Sequence, residues 1–336
     1  MKRIVLMLIL VMAGSVSMLD AQERSSYRHM FRLYYDNDFI NFAGKGTDHA
    51  YTFGTRLDYF YTRDHASRFF LDRWFPKAGG VAVNTFGWSL VQVAYTPDDI
   101  ITTEPDVNDY PYASGLFAIH SLHSSNPIAK FNLRTELSAG IIGPYSYANE
   151  VQEGFHRWIK YQLPMGWDHQ MPTDVLLNLS ISGEKLLWQQ GRWLEVSGGA
   201  GLKAGTMENA ATVYGLLRIG KMEPYYDGLL SQSGSPRENK PHRFQIYAVA
   251  KPGLYVTAYN AFVDGGVFAG RNEYYRQTKG EQQPYATDHG IHPVIDAGLQ
   301  IVSGKMGFSV TQKVMAPLLK GYPAHPVGNF TLTVGW

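Results

Sequence analysis

The chain has 336 residues, with 30 Lys and Arg against 29 Asp and Glu, a net charge of +1 and no cysteine. Near-neutrality argues against a nucleic-acid partner, which calls for a basic face. Without cysteine there are no disulfides, no thiolate metal sites and no lipid attachment through an N-terminal cysteine.

The first residues read as an export signal. Lys2 and Arg3 precede an apolar run from Ile4 to Met12, and small residues lead to a cleavage site after Ala21. This pattern predicts a secretory signal peptide over 1–21, leaving 22–336 as one mature domain. An anchoring helix fits worse, because the run is shorter than the roughly 20 apolar residues that span a bilayer. No later segment is long and apolar enough to be a spanning helix. A membrane location therefore requires a closed barrel, since lipid satisfies no open strand edge.

The mature chain alternates apolar and polar residues at the period of two that marks strands. From Tyr51 to Tyr61, Tyr51, Phe53, Thr55, Leu57, Tyr59 and Tyr61 share one face, and Thr52, Gly54, Arg56 and Asp58 the other. Phe131, Leu133, Thr135, Leu137 and Ala139 are likewise set against Asn132, Arg134, Glu136 and Ser138. A soluble sandwich would turn the apolar face to a second sheet; a barrel turns it to lipid and the charges to a wet lumen. Strands are expected near 28–36, 50–62, 83–96, 112–123, 129–142, 174–186, 192–204, 211–221, 242–262, 291–303, 306–316 and 327–336. Cutting 242–262 at Pro252-Gly253 would give thirteen, but termini at one end require an even number. The last stretch alternates Phe330, Leu332, Val334 and Trp336 with Thr331, Thr333 and Gly335, as a closing strand ending on an aromatic should. The 22 Tyr, 17 Phe and 7 Trp supply interfacial girdles on this reading. The fold expected is an all-β, twelve-stranded antiparallel transmembrane barrel with a short helix in an extracellular loop.

With the N-terminus inside, 37–49, 97–111, 143–173, 205–210, 263–290 and 317–326 face outward. The inward 63–82 is long for a turn, and Phe69, Phe70, Leu71, Trp74 and Phe75 suit a short interfacial segment; the inward 222–241 reads as irregular.

Polar residues gather at the outer rim in three places. Asp36-Asn37-Asp38-Phe39 ends the first strand, and Thr47-Asp48-His49-Ala50-Tyr51-Thr52-Phe53-Gly54 opens the second. Oxygen ligands of this kind suit a hard cation such as calcium, though a solvated loop with Asx turns uses the same residues. In the third, Gly143-Pro144 ends strand five, Ser146 is a candidate N-cap, and a helix is expected to about Tyr161. Gln152 and His156, four apart, share one helix face. By itself His156 fits a hydrogen-bonded structural histidine better than a base.

Together these segments resemble the outer-membrane lipid A 3′-O-deacylase family. The resemblance rests on Asn37-Asp38, on Tyr51, Thr52 and Gly54, and on the Gly143-Pro144…Glu150-Val151-Gln152…His156 spacing, and runs from about Tyr34 through the Gly166-Trp167-Asp168-His169-Gln170 stretch. It implies a twelve-stranded barrel, calcium as cofactor and lipid A of lipopolysaccharide as substrate. It places Asn37, Asp38, Thr52 and His156 at active-site positions and Gln152 and Glu150 on the helix. The chain departs from the family at Thr47-Asp48-His49-Ala50 and at Asp109-Tyr110-Pro111-Tyr112-Ala113-Ser114. Its loop 97–111 has no Lys or Arg but holds Asp98, Asp99, Glu104, Asp106 and Asp109.

The expected chemistry is hydrolysis of an ester by water. His156 acts as general base, since histidine has an ordinary pKa of about 6.5, and Gln152 orients the ring or a water. Asp38, Asn37 and Thr52 hold calcium, which polarises the ester carbonyl. There is no Gly-x-Ser-x-Gly elbow to support a serine nucleophile. An outer-membrane phospholipase and a non-catalytic porin-like barrel are the alternatives. The protein is expected in the bacterial outer membrane, as a monomer.

Overall fold

The computed structural model describes residues 28–41, 50–232, 244–276 and 286–336. The expected signal peptide and the Thr47-Asp48-His49 stretch lie outside the described residues.

Twelve antiparallel strands close into one barrel, each paired with its sequence neighbour and β1 with β12. They are β1 (His29–Asn37), β2 (Ala50–Thr62), β3 (Val83–Thr96), β4 (Ala113–Asn126), β5 (Phe131–Ile142), β6 (Asp174–Gln190), β7 (Leu194–Gly205), β8 (Glu208–Lys221), β9 (Phe244–Asn260), β10 (Ile291–Ser303), β11 (Met306–Met315) and β12 (His325–Gly335). Closure runs from Met30 opposite Gly335 to Asn37 opposite Gly328, so neither terminal strand has an open edge. β9 crosses Pro252 as a single strand. Its ladder to β8 skips from Tyr214–Gly253 to Leu217–Ala250, where proline has no N–H to give.

Alternation sorts the side chains as the two-residue period demands. Leu57, Tyr59, Trp88, Leu90, Leu177 and Leu179 are exposed on the outer wall. Arg56 and Asp58 face the lumen, where Asp58 accepts from Arg32 and Arg56, each at 2.6 Å, and Arg56 reaches Glu136 at 2.8 Å. Charges paired inside a ring of strands are the barrel's substitute for an apolar core.

The lumen is stopped at both ends. At the end bearing the long loops, Tyr51, Tyr95, Tyr110, Phe117, Phe262 and Leu318 belong to one buried apolar cluster. Leu318 donates its backbone N–H to the Tyr110 hydroxyl at 3.0 Å. Burial raises that hydroxyl's pKa, so it stays neutral and able to accept. At the other end, 222–232 turns inward. Leu230, from α3 (Leu229–Gln232), packs on Met30 and Phe60, and Tyr226 donates to Ser197 at 2.6 Å.

One position breaks the period. Strict alternation puts Tyr51 outside with Phe53, but the β2–β3 register shifts between Tyr51 and Phe53, so Thr52 is an extra residue in a bulge. Tyr51 is thereby turned into the lumen, where its hydroxyl reaches Asp36 at 3.4 Å and its ring packs on Tyr95. A Cβ at Gly54 would overlap that hydroxyl, so glycine is what lets the ring lie there.

The inward 63–82 carries α1 (Phe70–Trp74). It does not hang into solvent but folds back on the outer wall of β3 and β4, where Phe75 packs on Phe86 and Leu122.

Candidate active site

The site is built on the outer wall at the long-loop rim. Asn37 pairs with Phe53 across β1 and β2, on the face opposite Asp36 and Gly54. Its amide nitrogen donates to the Tyr35 hydroxyl at 3.1 Å, and its Oδ1 accepts the Phe39 N–H at 2.9 Å, an Asx turn that carries the chain off the strand. Asp38 is 1% exposed, and its N–H donates to the Thr52 carbonyl at 3.2 Å. The bulge gives Thr52 a hydroxyl contact with Thr96 at 2.7 Å. The opening hairpin thus brings Asn37, Asp38 and Thr52 together, with Thr96 as a fourth polar residue that sequence reading missed. Thr96 was legible only as the end of β3; its register opposite Ala50 makes it a neighbour.

The lid over this face is α2 (Ala148–Ile159). Gly143 leaves β5 at φ +101°, and an added Cβ would run into the backbone of Thr173, so a side chain has neither the conformation nor the room. Pro144 to Ser146 form a 3-10 turn and Tyr147 takes a left-handed conformation before the helix. Ser146 is therefore not the N-cap that its residue type suggested. Its hydroxyl contacts Ser114 at 2.6 Å, and its carbonyl accepts from Gln92 on β3 at 2.6 Å, which pins the turn to the wall.

The helix buries Ala148, Gln152 and His156, spaced by four residues along one face. The other side exposes Val151, Phe155, Trp158 and Ile159. A helix of a soluble domain does the reverse. Gln152 Oε1 accepts the Trp167 indole N–H at 2.9 Å. His156 Nδ1 lies 2.5 Å from the Gln162 carbonyl. Because a carbonyl only accepts, Nδ1 carries the proton in the neutral ring and Nε2 the lone pair.

A second buried cluster ties the two halves together: Phe53, Ala94, Tyr112, Ala148 and Trp167. Phe53 is the cross-strand partner of Asn37 and follows Thr52; Ala148 is the first residue of α2; Trp167 holds Gln152. The start of α2, and Gln152 through Trp167, are thus packed on the wall bearing Asn37 and Thr52. Glu150 is on the same helix but outside this buried face.

Among the described residues no three His, Asp or Glu side chains gather as a metal cluster. The donor set at the hairpin, one buried carboxylate with amide, hydroxyl and main-chain oxygens, still fits a hard oxygen-seeking cation in kind.

A closed barrel, stopped at both ends and carrying a buried polar site under an outer-wall helix, defines an outer-membrane barrel protein rather than an open channel. The chain belongs to the family described as outer membrane protein LpxR, whose model matches residues 4–336. Among solved structures it is similar to LpxR from Salmonella typhimurium, with 16% identity and a TM-score of 0.69 over 91% of this chain and 100% of that one. The beta domain of the Bordetella autotransporter BrkA is a looser likeness, with 11% identity and a TM-score of 0.43 over 93% of this chain and 99% of that one. No curated protein sequence gives a significant match.

Proposed function

We propose that the protein is a calcium-dependent lipid A acyl-ester hydrolase, a 3′-O-deacylase working on lipopolysaccharide in the outer leaflet. The observation that carries this reading is the inverted polarity of α2. Gln152 and His156 lie on its buried face, and Val151, Phe155, Trp158 and Ile159 are exposed. Such a helix suits a substrate whose ester enters the wall side while its acyl chains stay in lipid.

On this reading His156 is the general base. Its Nδ1–H is held by the Gln162 carbonyl, which aims Nε2 at an attacking water and stabilises the imidazolium formed when that proton is taken. Trp167 fixes Gln152 through its side-chain oxygen, and Gln152 is assigned to orient the imidazole or a water. Asp38, Asn37 and Thr52 would hold calcium, which when bound supplies positive charge for the developing oxyanion. The proton taken by His156 then goes to the leaving sugar oxygen, so the products are a fatty acid and a lipid A hydroxyl.

Mass spectrometry of lipid A from cells with the protein, without it, and with His156→Ala tests the reading. Loss of one acyl chain only with the unaltered protein is expected. Intact lipid A with new lysophospholipid would replace this function with a phospholipase activity. No change in any lipid would leave a barrel without hydrolase activity.

A further inference from the structure

The outer wall of β3 and β4 carries polar residues where lipid would otherwise lie. His120, Ser124 and Asn126 alternate with the luminal residues of β4, and Asn84 faces Ser124 from β3. The segment 69–78 covers them. His120 Nε2 lies 2.6 Å from Asp72 Oδ1, both side chains at most 2% exposed, under the rings of Phe69, Phe75 and Trp88. The Ala78 N–H donates to Ser124 at 2.9 Å, and its carbonyl accepts from Asn126 at 2.7 Å. In a bilayer, apolar contact alone would hold such a segment weakly, because lipid tails are as apolar as the wall. The polar bonds hold it, since breaking them would leave buried groups unpaired.

What the docked segment then presents is unlike a periplasmic turn. Trp74 is 82% and Phe70 60% exposed, continuous with exposed Trp88 and Leu90 on the wall. Beside them are exposed Arg68 and Arg73; Asp72 is turned inward to His120, exposed Asp64 is paired with Arg28, and Lys77 is bonded to the Asp72 and Phe75 carbonyls. The termini share this end, with Arg28 N–H bonded to the Trp336 carbonyl at 3.0 Å, and the long loops are at the other. This end therefore meets the periplasmic leaflet.

We infer that 63–78 is an interfacial foot whose exposed Trp74 and Phe70 enter the inner leaflet while Arg68 and Arg73 bind anionic phospholipid headgroups. Aromatic rings at headgroup depth with cations beside them are the chemistry that recognises such a surface. This inference is independent of the catalytic reading.

Because the chain lacks cysteine, Trp74→Cys takes a single fluorescent label. The labelled barrel is placed in vesicles of phosphatidylglycerol with phosphatidylcholine, with a spin-labelled copy of one or the other lipid. Leu90→Cys, on the outer wall, reports insertion, and heat-modifiable migration on gels reports folding. The label at position 74 should be quenched by lipid, shielded from aqueous iodide, and quenched more by spin-labelled phosphatidylglycerol. Arg68→Gln and Arg73→Gln should each lower that headgroup preference by about fivefold, as for one cation at a charged surface. Equal quenching by both lipids, unchanged by the arginine variants, would remove the anionic preference. Free access of iodide to position 74 in a barrel that passes the Leu90 control would overturn the foot altogether.

Discussion

Trp167 donates its indole N–H to Gln152 Oε1 at 2.9 Å, and both side chains are buried between the loop helix and the barrel wall. Trp167→Phe keeps most of the ring packing on Tyr112 but leaves that oxygen without its donor. Loss of one hydrogen bond to a buried amide costs about 1 kcal/mol or more. Deacylation should fall about tenfold or more, while heat-modifiable migration of the barrel stays normal.

Removing the imidazole should cost more. His156→Ala is expected to lower the rate by about 10²–10⁴, the range for a general base. Calcium binding, followed by terbium luminescence, should be little changed, because the proposed ligands are on the opening hairpin. A parallel loss of terbium binding would mean that His156 belongs to the ion site.

For Asp38→Asn the readouts should reverse. The only carboxylate in the proposed oxygen set is lost, so the calcium concentration for half-maximal activity should rise by about tenfold or more. Chelation should silence the unaltered enzyme and added calcium restore it. Activity that persists in chelator would exclude the cofactor.

The exposed face of α2 makes a different prediction. Phe155→Ser with Trp158→Ser should depress turnover of lipid A in membranes while sparing a short-chain ester in detergent. Those rings are proposed to meet lipid, not the reacting bond. Equal losses on both substrates would instead indicate damage to the helix.

Gly54 tests the bulge. In Gly54→Ala the new methyl collides with the Tyr51 hydroxyl, and overpacking of this kind costs about 1–3 kcal/mol. Both stability to denaturant and activity should drop. Tyr51→Phe in the same chain removes the colliding oxygen and should recover part of each.

Almost the whole barrel was legible in the sequence, because strand alternation is a local property. β2, β3 and β10 fall on the expected ranges, and the pairing of β1 with β12 follows from the aromatic-ended last strand. What escaped was non-local. Nothing in Tyr51-Thr52-Phe53 announces an extra residue; the bulge exists because β2 must pair with β3 on both sides of Thr52 while the Tyr51 ring drops over Gly54. The site residues were legible as types at the rim, but the packing of the loop helix on the hairpin wall depends on a cluster that joins Phe53 and Ala148, 95 positions apart. Ser146 was misread for a related reason. Its hydroxyl answers to Ser114 across the wall rather than to the helix it precedes. The aromatic run in 63–82 suggested an interfacial segment, but its place against β4 depends on His120, Ser124 and Asn126, which the run does not announce.

A barrel stoppered at both ends is a post and not a pipe. If it deacylates lipid A, reactant and products travel sideways within the leaflet, and the freed fatty acid begins its life among neighbouring lipids. Turnover would then answer to how tightly those neighbours are packed, so a stiffened outer leaflet should slow this protein without touching any of its residues.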